Sequence, residues 1–194
     1  MEIGSIPRTT PAELADRLFT AEELLQHRDW DPCELIRGKV VFLNYGYVVK
    51  GRVSFNTLME VAEYVKTHAC GEVFGPNTGF ILRRDPDTVR APSLMYFSHK
   101  RISAIELSDG YLEIPPDLAV NIVSPLESTA YASEKVDSYL EAGVKVVWAI
   151  DPDNRHAEIY RPGKPVETIG ATGALSAEEI LPGLSIPLLN IFPE

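Results

Sequence analysis

The chain has 194 residues, 45% of them hydrophobic and 24% charged, enough apolar material for a sizeable core in one globular domain. Basic side chains number 18 and acidic ones 28, so the net charge is −10. That balance opposes broad attraction to a phosphate backbone but leaves room for a local basic cleft. Cys33 and Cys70 are the only cysteines. They make neither a disulfide framework nor a zinc site, and they point to a reducing, cytoplasmic setting. No apolar run reaches the ~18 residues of a membrane helix, and Met1–Arg8 lacks the apolar centre of a signal peptide.

Residues 1–18 are polar, carry Pro7 and Pro11, and read as an N-terminal arm. Residues 19–194 read as a single domain. Thr20 and Glu23 have the spacing of a capping box for a short helix ending near His27 or Arg28. Two short runs flank Arg37-Gly38 between Glu34 and Leu43 and predict a tight hairpin. From Val49 to Thr67 the apolar residues recur at helical steps, with Gly71 as the stop signal. Glu72–Phe74, Gly79–Leu82 and Leu94–Phe97 read as strands or short buried runs, with a turn at Asp85–Asp87. Ser98–Pro116 is weakly patterned and reads as a loop or short helix.

The second half is more strongly patterned. Asp117–Val123 is a strand, Ala130–Ala142 an amphipathic helix with Gly143 after it, and Val144–Ile150 a nearly continuous apolar strand. Such a strand–helix–strand series is one crossover, so the two strands are expected to run parallel. After a turn at Asp151–Asn154, His156–Tyr160 pairs back as a hairpin, and Pro182–Pro187 returns as a strand or docked tail. The expected class is α/β, a central mixed sheet flanked by helices.

The four histidines, His27, His68, His99 and His156, have no metal-ligand spacing, and there is no phosphate-binding glycine loop. Ser124 lacks the Gly-x-Ser-x-Gly frame of a hydrolase nucleophile. Several segments taken in order are more specific. They are Glu34-Leu-Ile-Arg-Gly; Asn77-Thr-Gly-Phe; Asp87-Thr-Val-Arg-Ala-Pro; Pro116-Asp-Leu-Ala-Val-Asn-Ile-Val-Ser-Pro; Glu134-Lys with Tyr139 and Ala-Gly-Val144; Val147-Trp-Ala-Ile-Asp-Pro; and Leu181-Pro-Gly. From about Thr20 onward the chain resembles the Uma-type restriction endonuclease family, within the PD-(D/E)XK nuclease superfamily.

The resemblance implies a restriction-endonuclease-like fold, a homodimer, DNA as a partner, and Mg²⁺ or Mn²⁺ as cofactor if the protein is active. In that chemistry carboxylates hold the metal, the metal activates water, and a lysine contacts the phosphate. Glu34 and Lys135 match the family's catalytic positions, and Lys50 stands where a histidine is often found. At the metal-ligand positions this chain has Ser93 for an aspartate, Asn121 for a glutamate and Asn77 for a glutamate. Neutral oxygens there remove most of the attraction for a divalent ion. Asp117 lies ~13 Å along the strand from Asn121, too far to share an ion. Glu127 follows the Ser-Pro turn and is a possible substitute, while Glu134 is expected to point about 100° away from Lys135.

Each retained residue also has a plain structural reading. Glu34 can pair with Arg37 or a helix end, and Lys135 can be a solvated helix residue. Tyr139 and Trp148 fit the core, and Trp30 is either a surface stacking residue or a clamp on the first helix. Arg83, Arg84, Arg90, Lys100 and Arg101, against Asp85 and Asp87, form a local basic excess. It suits nucleic-acid binding or pairing with surplus carboxylates. The expected function is a non-catalytic homologue of a metal-dependent endonuclease that needs no cofactor and keeps the fold for nucleic-acid or protein interaction. An active Mg²⁺-dependent endonuclease with a rearranged ligand set is the alternative.

Overall fold

The computed structural model describes residues 14, 17–43, 47–103, 109–124 and 128–192. Most of the expected N-terminal arm, and Glu127, lie outside them. Three sheets organise the chain. A four-stranded antiparallel sheet has the order β2-β1-β5-β4, from β1 (Cys33–Ile36), β2 (Lys39–Phe42), β4 (Phe80–Arg83) and β5 (Thr88–Arg90). A six-stranded sheet has the order β10-β9-β8-β7-β6-β3. Its strands are β3 (Gly71–Phe74), β6 (Leu94–Ser98), β7 (Leu118–Ile122), β8 (Val146–Asp151), β9 (His156–Tyr160) and β10 (Glu167–Ile169). A small hairpin pairs β11 (Ala174–Ser176) with β12 (Ser185–Pro187).

The helices are α1 (Ala21–Leu25), α2 (Val48–His68), α3 (His99–Ile102), α4 (Thr129–Glu141) and α5 (Leu188–Ile191). Local chemistry accounts for their boundaries. The Thr20 hydroxyl accepts from Glu23 N while the Glu23 carboxylate accepts from Thr20 N, so α1 starts on a full capping box. Ser128 caps α4 by accepting from Tyr131 N. Arg37 (φ 49°) and Gly38 (φ 79°) both have positive φ, as the tightest hairpin turns require, and they join β1 to β2. The stop after α2 is Ala69 in the left-handed conformation. Gly71 serves the sheet instead. A Cβ at that position would lie 2.1 Å from the Phe97 carbonyl, so only glycine lets β3 pair with β6.

The expected crossover is present. β7 and β8 are parallel neighbours in register Leu118↔Val146 through Ile122↔Ile150, and α4 connects them. One face of the large sheet presents Leu94, Tyr96, Leu118, Val120 and Trp148 to Val53, Val61 and Val65 of α2. The other presents Met95, Phe97, Ala119 and Val147 to Val136 and Tyr139 of α4. Trp148 and Tyr139 are core residues. Trp30 stacks on His27 and meets Phe19 edge-on, so it clamps the first helix. In one respect the architecture differs from a single central sheet. The first hairpin does not join that sheet but builds a second one with β4 and β5, over its own core of Phe19, Leu24, Leu35, Val40 and Val89. No helix among the described residues is long and apolar enough to cross a membrane.

Asp117 pins the crossover. It is fully buried, accepts Ser98 N–H at 2.8 Å, and pairs with Lys145 Nζ at 2.6 Å and Arg101 Nε at 3.1 Å. Burial alone would raise its pKa, but the Lys145 ammonium, the Ser98 donors and Arg101 together hold the carboxyl below the ordinary aspartate range. Asp117→Ala is expected to cost about 3–5 kcal/mol in urea unfolding at neutral pH, the cost of breaking a buried pair. A depressed folded-state pKa stabilises above the unfolded value of ~3.9 and is lost as pH falls through the folded one. The gap between parent and variant therefore narrows below about pH 4 and is constant above it.

Candidate functional site

Glu34 sits in the middle of β1, side chain inward and 1% exposed. A carboxylate so placed must be compensated. Its Oε2 accepts from Arg90 Nη1 at 2.8 Å and from the Tyr131 hydroxyl at 3.0 Å. Its Oε1 accepts from Ala91 N at 3.4 Å and faces Lys135 Nζ at 3.7 Å. Arg90, the last residue of β5, is 0% exposed and also donates to the Tyr131 oxygen and to Glu134. Arg90 and Lys135 both lie over the Tyr131 ring, 5.4 and 5.2 Å from its centroid. Burial opposes the Arg90 charge, but Glu34 and the surrounding oxygens outweigh it and raise the guanidinium pKa. Burial and the nearby Glu34 carboxylate push the Tyr131 hydroxyl well up.

Two of the structural alternatives are thereby corrected. The partner of Glu34 is not Arg37 but Arg90, and Lys135 is buried at the same carboxylate rather than solvated. Glu134, expected to point away, shares the cluster, because the long Arg90 side chain spans the gap that helical geometry leaves. The formal charges of Glu34, Glu134, Arg90 and Lys135 sum to zero.

Ser93 immediately precedes β6. The β6–β7 register, Leu94↔Val120, sets it level with Asn121. By strand alternation both lie on the face that carries Met95, Ala119 and α4. The Ser93 hydroxyl accepts from Ile122 N at 3.3 Å. Asn121 is 4% exposed, and its Nδ2 has no hydrogen-bond partner. Ser93 and Asn121 thus share a sheet face with the helix that supplies Lys135, and Glu34 reaches that helix through Arg90 and Lys135. Asn77 is exposed on the turn after β3. It lines a cleft of about 560 Å³ with Arg90, Ala91, Pro92, Ser93 and Tyr111. Lys50 lies in the first turn of α2, on the opposite side of the sheet from α4, and Tyr47 beside it shares a 2.9 Å hydrogen bond with Ser124. Asp117 is committed to Lys145 and Arg101. Among the described residues, no three His, Cys, Asp or Glu side chains gather closely enough to hold a metal ion.

The basic excess of the sequence is not gathered into one surface. Arg90 is buried; Arg84 pairs with Glu22, Asp87 and Glu113; Arg101 pairs with Asp117 and donates to the Pro115 and Gly143 carbonyls. Arg83 and Lys100 are exposed. Sequence reasoning missed Arg90 and Tyr131 as partners of Glu34. The available signal was a three-residue strand ending in arginine, too short to carry a period.

A mixed sheet with one parallel crossover, helices on both faces and a buried Glu–Lys pair beside the crossover define a restriction-endonuclease-like α/β protein. The family model described as "Uma2: Putative restriction endonuclease" matches residues 21–189, and the chain belongs to that family. Among solved structures it is similar to a putative nuclease belonging to DUF820 from Anabaena variabilis. The two superpose with a TM-score of 0.75 at 21% identity, over 90% of this chain and 97% of that one. No curated protein matches the chain.

Arg90→Ala, which leaves Glu34 and Glu134 without their shared cation, is expected to lower stability by about 3–5 kcal/mol. Arg90→Lys keeps the charge but not the planar fork that serves two carboxylates, and should cost about 1–3 kcal/mol. Urea unfolding of both variants checks the order. Equal stability of Arg90→Lys and parent would show that the fork geometry is unimportant.

Proposed function

We propose that this member of the family keeps the endonuclease frame but not the catalytic metal site, and acts by interaction rather than by cutting. One observation supports this reading. Ser93 and Asn121, at the positions where the PD-(D/E)XK resemblance calls for carboxylates, are neutral, and the nearby Glu34 is already neutralised by Arg90 and Lys135. Magnesium gives up its water reluctantly and binds through anionic oxygens. A neutral serine, a neutral asparagine and a carboxylate shared by two cations do not fit it. Lys135 then serves Glu34 rather than a phosphate, and Lys50, Asn77 and Glu34 have no metal step to support. The acidic surface, and the commitment of Arg84 and Arg101 to carboxylates, favour a protein partner over a DNA backbone. Cys33 and Cys70 form no disulfide, which suits a cytoplasmic setting.

The test is restoration. Ser93→Asp combined with Asn121→Glu places two carboxylates on the same sheet face, with Asn77→Glu as a third addition. Without metal the double variant should be less stable than the parent, through repulsion of like charges. Millimolar Mn²⁺ should raise its Tm and leave the parent's unchanged, with about 2.7 kcal/mol of stabilisation at a hundredfold excess over Kd. The parent should not cut plasmid DNA in Mg²⁺ or Mn²⁺. Metal-dependent cutting by the parent that disappears in Lys135→Ala would establish the active-endonuclease alternative instead.

A further inference from the structure

α2 buries Val53, Thr57, Val61 and Val65 against the large sheet. Its opposite side is not the polar face expected of a surface helix. Val48 is 86% exposed, Phe55 61% and Met59 51%. With Arg52, Ala62 and Lys66 they fall at alternating steps of four and three residues, the seam of a two-helix coiled coil. At about 100° per residue the whole seam spans roughly 80° of the helix surface, directly opposite Thr57. On one flank α5 is fastened to α2 by the bonds Asn56 Nδ2 to the Ile191 carbonyl and Asn190 Nδ2 to Glu60, and its Leu189 is 61% exposed.

We propose that this face pairs with the same face of a second copy, as an antiparallel α2–α2 contact about a two-fold axis level with Thr57. The sequence is self-complementary in that register. Phe55 meets Met59 of the second copy, and Met59 meets its Phe55. Arg52 lies over the small Ala62 of the other helix, and its guanidinium reaches the neighbouring Glu63. Arg52 and Glu63 form no ion pair within the chain among the described residues, and they are about 16 Å apart along their own helix. Across the axis they pair with one another, twice by symmetry. Antiparallel helices also set opposite dipole ends side by side. A parallel pairing would set Arg52 against Arg52 and Glu63 against Glu63, so charge selects the antiparallel arrangement. The contact is a stripe rather than a broad interface, so the dimer is of micromolar strength.

Sedimentation velocity of the full chain from about 1 to 200 μM reads the outcome directly. The parent should shift from monomer to dimer across this range. Phe55→Asp should abolish the shift. Arg52→Glu and Glu63→Arg should each weaken association at least about tenfold through like-charge contacts. The combined reversal should return it to within about threefold of the parent, which no effect on a single helix would do. All three positions face solvent or lie at the seam edge, so unchanged melting curves verify that the variants fold. A parent that stays monomeric at 200 μM, or a dimer indifferent to Phe55→Asp or not rescued by the double reversal, overturns the proposal; the face then belongs to a different protein. Metal response and DNA cutting are read separately, so the outcome does not depend on the state of the cleft.

Discussion

One buried guanidinium holds the two sheets to the helix between them. Arg90 ends β5, in the small sheet, and its side chain joins Glu34 of β1 to Tyr131 and Glu134 of α4. α4 in turn packs on the large sheet through Val136 and Tyr139. An arginine fully out of water is tolerated only where its charge is met, and here two carboxylates and a phenol meet its two terminal nitrogens, while Nε has no hydrogen-bond partner. Lys135 closes the remaining side of Glu34. The spacing between the small sheet and α4 is set by these hydrogen bonds together with the stacking of Phe80 of β4 on Tyr139 of α4, and the cleft lined by Arg90 and Ser93 inherits that spacing.

Asp117 plays the matching part at the other end of the crossover. It fixes the start of β7 to the start of α3 through Ser98 N and to the loop before β8 through Lys145. Between the two ionic anchors, the sheet face toward α4 carries the neutral pair Ser93 and Asn121. The Asn121 Nδ2 on this face is one of three buried side-chain atoms among the described residues, with Arg90 Nε and the ion-paired Asp117 Oδ1, that have no hydrogen-bond partner. A buried polar group left unsatisfied costs stability.

Local chemistry made much of the fold legible. The Thr20–Glu23 box, the Arg37-Gly38 turn, the α2 periodicity and the β7–α4–β8 crossover all depend on residues within a few positions of one another. The strands that escaped, β5, β10 and β11, are three residues long, shorter than one full alternation. The candidate site was read as a set of positions from the order of the segments around Glu34, Asn121 and Lys135. Its electrostatics were not. That Arg90 would leave the basic run and turn inward, and that Glu134 would follow it, depends on contacts between residues 44 and 56 positions apart. Charge counted along the chain does not reveal which charges have already met.

The two kinds of ion pair respond differently to ionic strength. The Glu34–Arg90 pair is out of reach of mobile ions, whereas the pairs of Arg84 with Glu22 and Glu113 are largely solvent-facing and screened within a Debye length. α1 is seated by Ala21 and Leu24 in the core of the small sheet and by the bond from Ala21 N to Asp87, and the Arg84–Glu22 pair adds an outer tie. Salt therefore acts on this molecule at its surface. It weakens the outer tie of the first helix while the joint between the small sheet and α4 stays closed.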